Sequence, residues 1–389
     1  MVKAKQCAQL ALYLPNLDGG GAERMMVNLA SGFARRGLQV DLVLADARGP
    51  YLADVGPGVN VVDLRSAGVM ASLPKLVSYL RSRRPEAVLA TLNHASVAAL
   101  LARKLSAVPV RAVVRESNMM FPSPTRSSKS RALKAATRFF YPWADAYIAV
   151  SQGVADDLQR FARLEHHKVH TIYNPVISKS LFEKLEVTPE HPWFGADAAA
   201  KLPVVLGVGR LTGQKDFATL LRAFAAAQKV RPARLVILGE GERREELERL
   251  AHTLGISERV SLPGFVDNPF ALMARADTFV LSSRHEGLPG ALIQAMACGC
   301  KVVSTDCPSG PSEILKGGKL APLVAVGDDT KLAQAIAESL ALPAANPELR
   351  TRALDFSEEK IIPQYLEVLL PGYRNAGYGN AGYGDATRA

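Results

Sequence analysis

Cysteine is scarce in this sequence: Cys7, Cys298, Cys300 and Cys307 are the only four in 389 residues. So few thiols cannot form the disulfide framework of a small secreted domain. Three of them crowd into ten positions, but the C-x-C-x6-C spacing lacks the paired C-x2-C or nearby histidine of a zinc site. They read as buried small residues in a reducing compartment. Long hydrophobic runs are missing too. No stretch of about 18 apolar residues occurs, which argues against a bilayer-spanning helix. Lys3 and Lys5 precede a short apolar run at 7–14, the outline of a signal peptide. That run feeds Gly19-Gly20-Gly21, however, and fits a first strand entering a glycine turn better. Aromatic residues make up only 6%, with no interleaved platform or recognition-helix motif, so nucleic acid is a poor candidate partner. No convincing D-x-D pair offers a divalent-cation site.

What is present is ordinary globular composition, 48% hydrophobic and 22% charged, which excludes wholesale disorder and a collagen-like repeat. At roughly 150 residues per domain, the length implies two domains, each able to bury its own core. The net charge of +10 comes entirely from the first half: residues 1–190 hold 25 Lys/Arg against 15 Asp/Glu, residues 191–389 hold 22 of each. It peaks in 103–138, where Arg103, Lys104, Arg111, Arg115, Arg126, Lys129, Arg131, Lys134 and Arg138 face one acid, Glu116. Such a surface attracts phosphates, acidic lipid or nucleic acid.

Short apolar runs alternate with helical patterns throughout. Strands are expected at 9–14, 39–44, 87–90, 110–114 and 146–150, with helices at 23–36, 73–83 and 96–105. The pattern pauses at Tyr173-Asn174-Pro175 and restarts after Lys201-Leu202-Pro203. Strands then follow at 204–208, 234–238, 260–262, 278–281 and 301–304, with helices at 216–229, 243–254, 269–274 and 290–297. This alternation predicts two α/β domains with parallel sheets and a cleft between them, where ligands bind at the carboxyl ends of the strands. The last 19 residues differ: Asn-Ala-Gly-Tyr-Gly occurs twice in tandem, and a glycine-rich repeat cannot offset its ordering entropy, so 371–389 is expected to be a disordered tail.

The strongest motif runs from Ser282 to Gly299, S-S-R-H-E-G-L-P-G-A-L-I-Q-A-M-A-C-G. A strand ends in small residues, Glu286 sits in the turn, and a helix opens at Pro289-Gly290. Its free amides and positive dipole end make a seat for a diphosphate. Glu286 lies eight residues before Gln294, so loop carboxylate and helix amide can face one ligand. At the head of the second half stands Gly207-Val208-Gly209-Arg210-Leu211-Thr212-Gly213-Gln214-Lys215. Its glycine spacing is not G-x-G-x-x-G, and the dinucleotide reading is weak. As surface charges, Arg210 and Lys215 would sit at a helix start, where cations are mildly disfavoured.

Together these segments resemble the retaining glycosyltransferases of family 4, which have the GT-B fold. Glu286 matches the first acid of the family's E-x7-E region, which engages the donor sugar, while the turn amides of Gly287, Leu288 and Pro289's helix hold its phosphates. Gln294 stands where the family has a second acid on the ribose; an amide still hydrogen-bonds a diol but without charge assistance. The G-R-L-x-x-x-K segment implies that Arg210 and Lys215 neutralise the departing diphosphate in place of a metal. Gly20 and Gly21 resemble the family's first glycine loop. Gly239, with Phe265 and Val266, resembles loops that frame the nucleobase, and Gly209, beside Arg210, is a further donor-binding candidate. Thr305-Asp306-Cys307-Pro308-Ser309-Gly310-Pro311-Ser312-Glu313 resembles the T-D-x-x-x-G-x-x-E loop, and 358–370 a helix that crosses back.

The resemblance implies an acceptor-side Rossmann-like domain at 1–175, a linker at 176–200, a nucleotide-sugar domain at 201–352, a crossover helix at 353–370 and the tail. Catalytic candidates are Glu286, Arg210, Lys215 and His94. His94, with Arg115, Glu116 and Asn118, is an acceptor-side candidate, although His94 equally suits a structural helix start with Asn93 as N-cap. No cofactor or metal is expected. The expected partners are a nucleotide-sugar donor, a UDP-sugar, and a glycan or lipid-phosphate-linked acceptor, with an anionic membrane surface as a candidate partner of 103–138 and no nucleic acid. The expected location is cytoplasmic, peripheral on the inner face of the membrane. Two competing readings remain: a nucleotide-sugar epimerase or hydrolase of the same fold, and a non-catalytic membrane-surface partner of a transferase.

Overall fold

A computed structural model describes residues 9–120, 128–194 and 202–373. Cys7, residues 121–127 of the basic segment, 195–201 of the expected linker and the tail from 374 onward, with its tandem repeat, lie outside the described residues. Two parallel sheets organise the chain. The first contains β1 (Gln9–Leu14), β2 (Gln39–Leu44), β3 (Val59–Asp63), β4 (Ala87–Thr91), β5 (Arg111–Glu116), β6 (Ala146–Ala149) and β7 (Val169–Thr171), in the order β3-β2-β1-β4-β5-β6-β7. The second contains β8 (Val204–Val208), β9 (Arg234–Leu238), β10 (Val260–Gly264), β11 (Thr278–Leu281), β12 (Val302–Thr305) and β13 (Leu323–Val324), in the order β10-β9-β8-β11-β12-β13. Both orders reverse beside their first strand, between β1 and β4 and between β8 and β11. Such a reversal opens a crevice at the carboxyl ends of the strands.

The central strands are almost wholly buried, as their unbroken apolar runs require when helices cover both faces. Strands β3, β7 and β13 were not expected from the sequence. They lie at sheet edges and are short or half exposed, so their apolar signal is weak. In the first domain the covering helices are α1 (Gly21–Ala34), α2 (Leu73–Arg83), α3 (Asn93–Ser106), α4 (Ser128–Phe140) and α5 (Gln152–Ala162). After α6 (Lys179–Glu183) the second domain adds α7 (Phe217–Val230), α8 (Arg244–Thr253), α9 (Pro269–Met273), α10 (Gly290–Ala297), α11 (Pro311–Ile314), α12 (Asp329–Ala341) and α13 (Pro347–Ala353). One local expectation fails. Asn93 is not the N-cap of α3; Leu92 holds that position with φ +70°, and Asn93 is the first helical residue, its amide donating to the Met120 sulfur at 2.9 Å.

The chain crosses between domains twice, and the two crossings pair with each other. The amides of Val176 and Ile177 donate to the Phe356 carbonyl, and Glu358 returns a bond to Ile177. Val176, Ile177, Leu181 and Phe194 of the connecting segment pack into the second core with Phe356. Beyond the crossing, α14 (Glu358–Leu369) buries Ile361, Ile362, Tyr365, Leu366 and Leu369 in the first core. That 1-2-5-6-9 spacing is one helical face, so the last helix among the described residues seals the first domain. Tyr373 follows, half buried against the same core.

Beneath this helix sits a polar cluster. Arg115 is fully buried: it donates to the Tyr365 hydroxyl and the Thr91 hydroxyl at 3.2 Å each, and to the Asn174 amide oxygen. Glu116, next in β5, accepts from the Tyr141 hydroxyl. Burial pushes the Glu116 carboxyl up to about 7, against the pull of Tyr141 and Arg115. The folded state therefore holds a proton that the unfolded chain releases near its ordinary value. This contribution to stability is full below that value and is lost as pH rises through about 7. Glu116→Gln, which keeps an acceptor for Tyr141, is expected to flatten the fall in urea-unfolding free energy between about pH 5 and about pH 8. Equal pH slopes for the two proteins would contradict it.

Candidate functional site

Three consecutive βα loops of the second domain are stitched into one floor. Gly209 donates to the Leu238 carbonyl at 2.9 Å, and Gly239 to the Gly264 carbonyl at 2.8 Å. Gly239 has φ +134°, and a Cβ there would stand 2.0 Å from the Gly209 carbonyl oxygen, so no other residue permits this approach. Over Gly209 lies the aliphatic stem of Lys215. Arg210 beside it is exposed, with no side-chain partner among the described residues. Phe265, at the end of β10, is 69% exposed, an aromatic face left in solvent beside this floor, with Val266 packed beneath it on the core.

The loop after β11 closes on that floor. Glu286 is only 8% exposed; its Oε1 accepts from Lys215 Nζ at 2.6 Å and from the Ser283 hydroxyl at 2.7 Å. The two expected chemical groups, 71 residues apart, therefore touch. They are held together by contacts that the sequence did not announce. Arg284 donates its amide to the Gln214 carbonyl, Gln214 Nε2 donates to the His285 carbonyl, and the Ser282 hydroxyl donates to the Lys215 carbonyl. Arg284 Nε also pairs at 3.0 Å with Asp216, which is 1% exposed and sits at φ +46°. Cys307 adjoins the pair; burial and the nearby Glu286 charge push its thiol up to about 12, so it stays neutral.

The N-terminus of α10 follows directly, with Pro289 as N-cap and no side-chain cap, which leaves the positive end of the helix to a ligand. Gln294 lies one turn into this helix, half buried. Gly287 and Leu288 are buried against the first domain: a Cβ on Gly287 would stand 1.9 Å from the Ser117 carbonyl oxygen. The carboxyl edges of the two sheets thus meet here.

On the first-domain side, Gly20 is the N-cap of α1 and Gly21 its first residue; the Glu23 carboxylate turns back over Gly20, where a Cβ would meet it at 2.2 Å. His94 stands exposed at the start of α3, one residue past the Asn93 that follows Leu92. Surrounding protein pushes its imidazole down, and the Glu23 carboxylate pulls it partly back, so the ring is neutral at physiological pH. Asn118 is exposed at the end of β5. Arg115 and Glu116 are not at the surface with it. Alternate β-strand residues point to opposite faces, and here Arg115 is taken up under α14 and Glu116 by Tyr141 on the other face, so neither side chain is presented to an acceptor.

Among the described residues, no group of three or more His, Cys, Asp or Glu side chains is arranged to hold a metal ion, and no helix is long and apolar enough to cross a membrane. Residues 19–179 match the family model described as Glycosyltransferase Family 4, and residues 202–341 that of Glycosyl transferases group 1. The chain is 29% identical over 377 residues, 93% of this chain and 99% of the relative, to the N-acetylgalactosamine-N,N'-diacetylbacillosaminyl-diphospho-undecaprenol 4-alpha-N-acetylgalactosaminyltransferase of Campylobacter jejuni. It is 26% identical over 363 residues, 90% of this chain and 96% of the relative, to the lipopolysaccharide core biosynthesis glycosyltransferase LpsE of Rhizobium meliloti. In fold it is similar to Anabaena HepE solved with UDP, at TM-score 0.75 and 21% identity over 93% of this chain and 99% of that one. The two matched domains, the two opposed Rossmann-like sheets and the returning helix together show that the chain is a glycosyltransferase of family 4 with the GT-B fold.

Proposed function

We propose that the chain transfers a sugar from a UDP-sugar to a lipid-linked glycan with retention of configuration, without a metal. The observation that carries this reading is the Lys215–Glu286 pair beside an Arg210 and an α10 N-terminus that have no side-chain partner among the described residues. Relatives whose names specify a diphospho-undecaprenol or lipopolysaccharide-core acceptor, and a neighbour solved with UDP, support it. Arg210, Lys215 and the α10 amides hold the diphosphate, the base lies against Phe265 and Val266, and Gln294 meets the ribose. When the diphosphate draws Lys215 away, Glu286 Oε1 is released to a sugar hydroxyl. Neutral His94 offers a hydrogen bond from the opposite wall, with Asn118 and the Gly20-Gly21 turn on the acceptor side.

In the transfer, the acceptor hydroxyl oxygen bonds to the anomeric carbon as the bond to the diphosphate oxygen breaks. The electron pair leaves with the diphosphate, which takes up the hydroxyl proton. Attack on the face from which the diphosphate departs retains configuration, and the two cations stabilise the charge that develops there. Glu286, already bonded to Lys215 and Ser283, orients the sugar rather than acting as a nucleophile.

The basic segment supplies the acceptor's setting. Arg131, Ala132, Ala135, Arg138 and Phe139 lie on the exposed face of α4, and Phe139 is 66% exposed. A cationic helix face bearing an aromatic suits an anionic bilayer surface.

Three outcomes are expected. With a panel of nucleotide sugars, Arg210→Ala and Lys215→Ala each lower kcat about 10²- to 10³-fold; unchanged turnover in both removes the phosphate assignment, and the anomeric configuration of the product by NMR decides retention. Asp216→Asn and Arg284→Met each cost about tenfold in kcat, and the double variant is no worse than either alone, because both remove the same tie between the loops. Arg131→Gln with Arg138→Gln weakens co-sedimentation with phosphatidylglycerol vesicles by about 2 kcal/mol; unaltered vesicle binding places the membrane contact elsewhere.

A further inference from the structure

The loop 305–313 has so far carried no function, yet it joins the two domains. Helix α5 begins at the carboxyl end of β6, and its first-turn amides need partners. Two find them within the first domain: Val154 donates to the Ser151 hydroxyl and Ala155 to the Ser151 carbonyl. The other two find them across the cleft. Gln152 donates to Glu313 Oε2 at 2.9 Å and Gly153 to Glu313 Oε1 at 3.1 Å. A carboxylate of the second domain thus completes the cap of a first-domain helix, where charge-assisted bonds and the helix dipole act together.

The contact is built from both sides. The Glu313 carbonyl accepts from Arg352 at 3.0 Å, which fixes the residue on its own domain. Burial and the Glu313 carboxylate push the Tyr173 phenol of the first domain up, against the pull of Arg352. Gly153 carries no Cβ where one would stand 3.0 Å from the Ser309 side chain, and the hydroxyls of Ser151 and Ser309 share a hydrogen bond. Ser309 then reaches the donor loop: its hydroxyl donates to the Gly287 carbonyl at 3.0 Å, one residue past Glu286.

We propose that Glu313 is a positioning residue for sugar transfer, a latch that clips the start of α5 to the loop bearing Glu286 and so fixes the distance between acceptor and donor walls. It does so without touching either substrate. The two bonds at α5, the Ser151–Ser309 contact and the Gly287–Ser117 approach form one continuous seam, to which Glu313 brings a carboxylate.

This inference rests on the reading of the cleft as a transfer site, and the test separates the two. The full chain is compared with Glu313→Ala and Glu313→Gln by amide hydrogen exchange, UDP titration and steady-state transfer. In Glu313→Ala, exchange at Gln152 and Gly153 is expected to accelerate at least about tenfold while Val154 and Ala155 keep their protection. UDP affinity is expected to stay within about twofold while kcat falls at least about tenfold. Glu313→Gln, whose amide oxygen accepts one of the two bonds, restores part of both losses. Unchanged exchange at Gln152 and Gly153 overturns the latch. Faster exchange with wild-type kcat overturns its part in transfer, as does a UDP affinity that falls in step with kcat, which marks damage to the second domain alone. A wild-type chain that neither binds UDP nor transfers sugar fails the functional reading instead, and the exchange comparison still decides whether the latch exists.

Discussion

Burying Glu286 removes its carboxylate from water, a loss of several kcal/mol that only close, well-oriented partners offset. Lys215 and Ser283 supply them on a single oxygen, and the rest of the cleft depends on that pairing. Lys215 can reach Glu286 only because its stem lies flat across Gly209, and Gly209 sits where it does because Gly239 has no side chain to displace its carbonyl. The loop after β8 and the loop after β11 are then laced together by Gln214, Ser282 and the Asp216–Arg284 pair. Without a ligand, cation and acid satisfy each other. In the proposed transfer a diphosphate would compete for the cation and so free the acid for the sugar.

Backbone strain is placed around the same cleft. Three non-glycine residues with left-handed backbone mark it: Leu92 before His94, Asp216 after Lys215, and Ser309 against Gly287. Others, at Arg84, Ala107 and Arg163, simply end helices, where that conformation is common. A leucine or a buried aspartate held there costs free energy that surrounding contacts must offset, and residues of this kind gather at sites that have to keep a fixed geometry. For Asp216 the offsetting contacts are visible: Thr219 donates to its carboxylate and Arg284 pairs with it.

Much of this architecture was legible in the sequence. The central strands β1, β2, β8, β9 and β11 appear at their expected positions, because an unbroken apolar run between glycine turns is a local signal. The edge strands β3, β7 and β13 were not legible, since they bury too little to carry such a run. The motif residues Arg210, Lys215, Glu286 and Gln294 stand out in the sequence at the ends of those strands, and the fold brings Lys215 and Glu286 into contact. Arg115 and Glu116 are not on the acceptor side for a physical reason: a charged pair at a strand end looks the same in sequence whether it faces solvent or is drawn inward, Arg115 under the returning helix and Glu116 against Tyr141 on the other face of the sheet. Tyr365, 250 residues away, and Asn174 take up Arg115, while Tyr141 takes up Glu116.

By itself, then, the sequence determined two parallel α/β sheets, the turns at which their strands end, and which residue types stand in those turns. All of these follow from contacts within a few residues of the chain. The tertiary structure decided which turns face one another. It set Lys215 against Glu286 across 71 positions, capped α5 with Glu313 across 161, and drew Arg115 inward across 250. The first depends on how closely Gly209 and Gly239 let backbone approach backbone, the second on which loops of the two domains face each other, and the third on where α14 returns; no local pattern of charge or hydrophobicity encodes such distances.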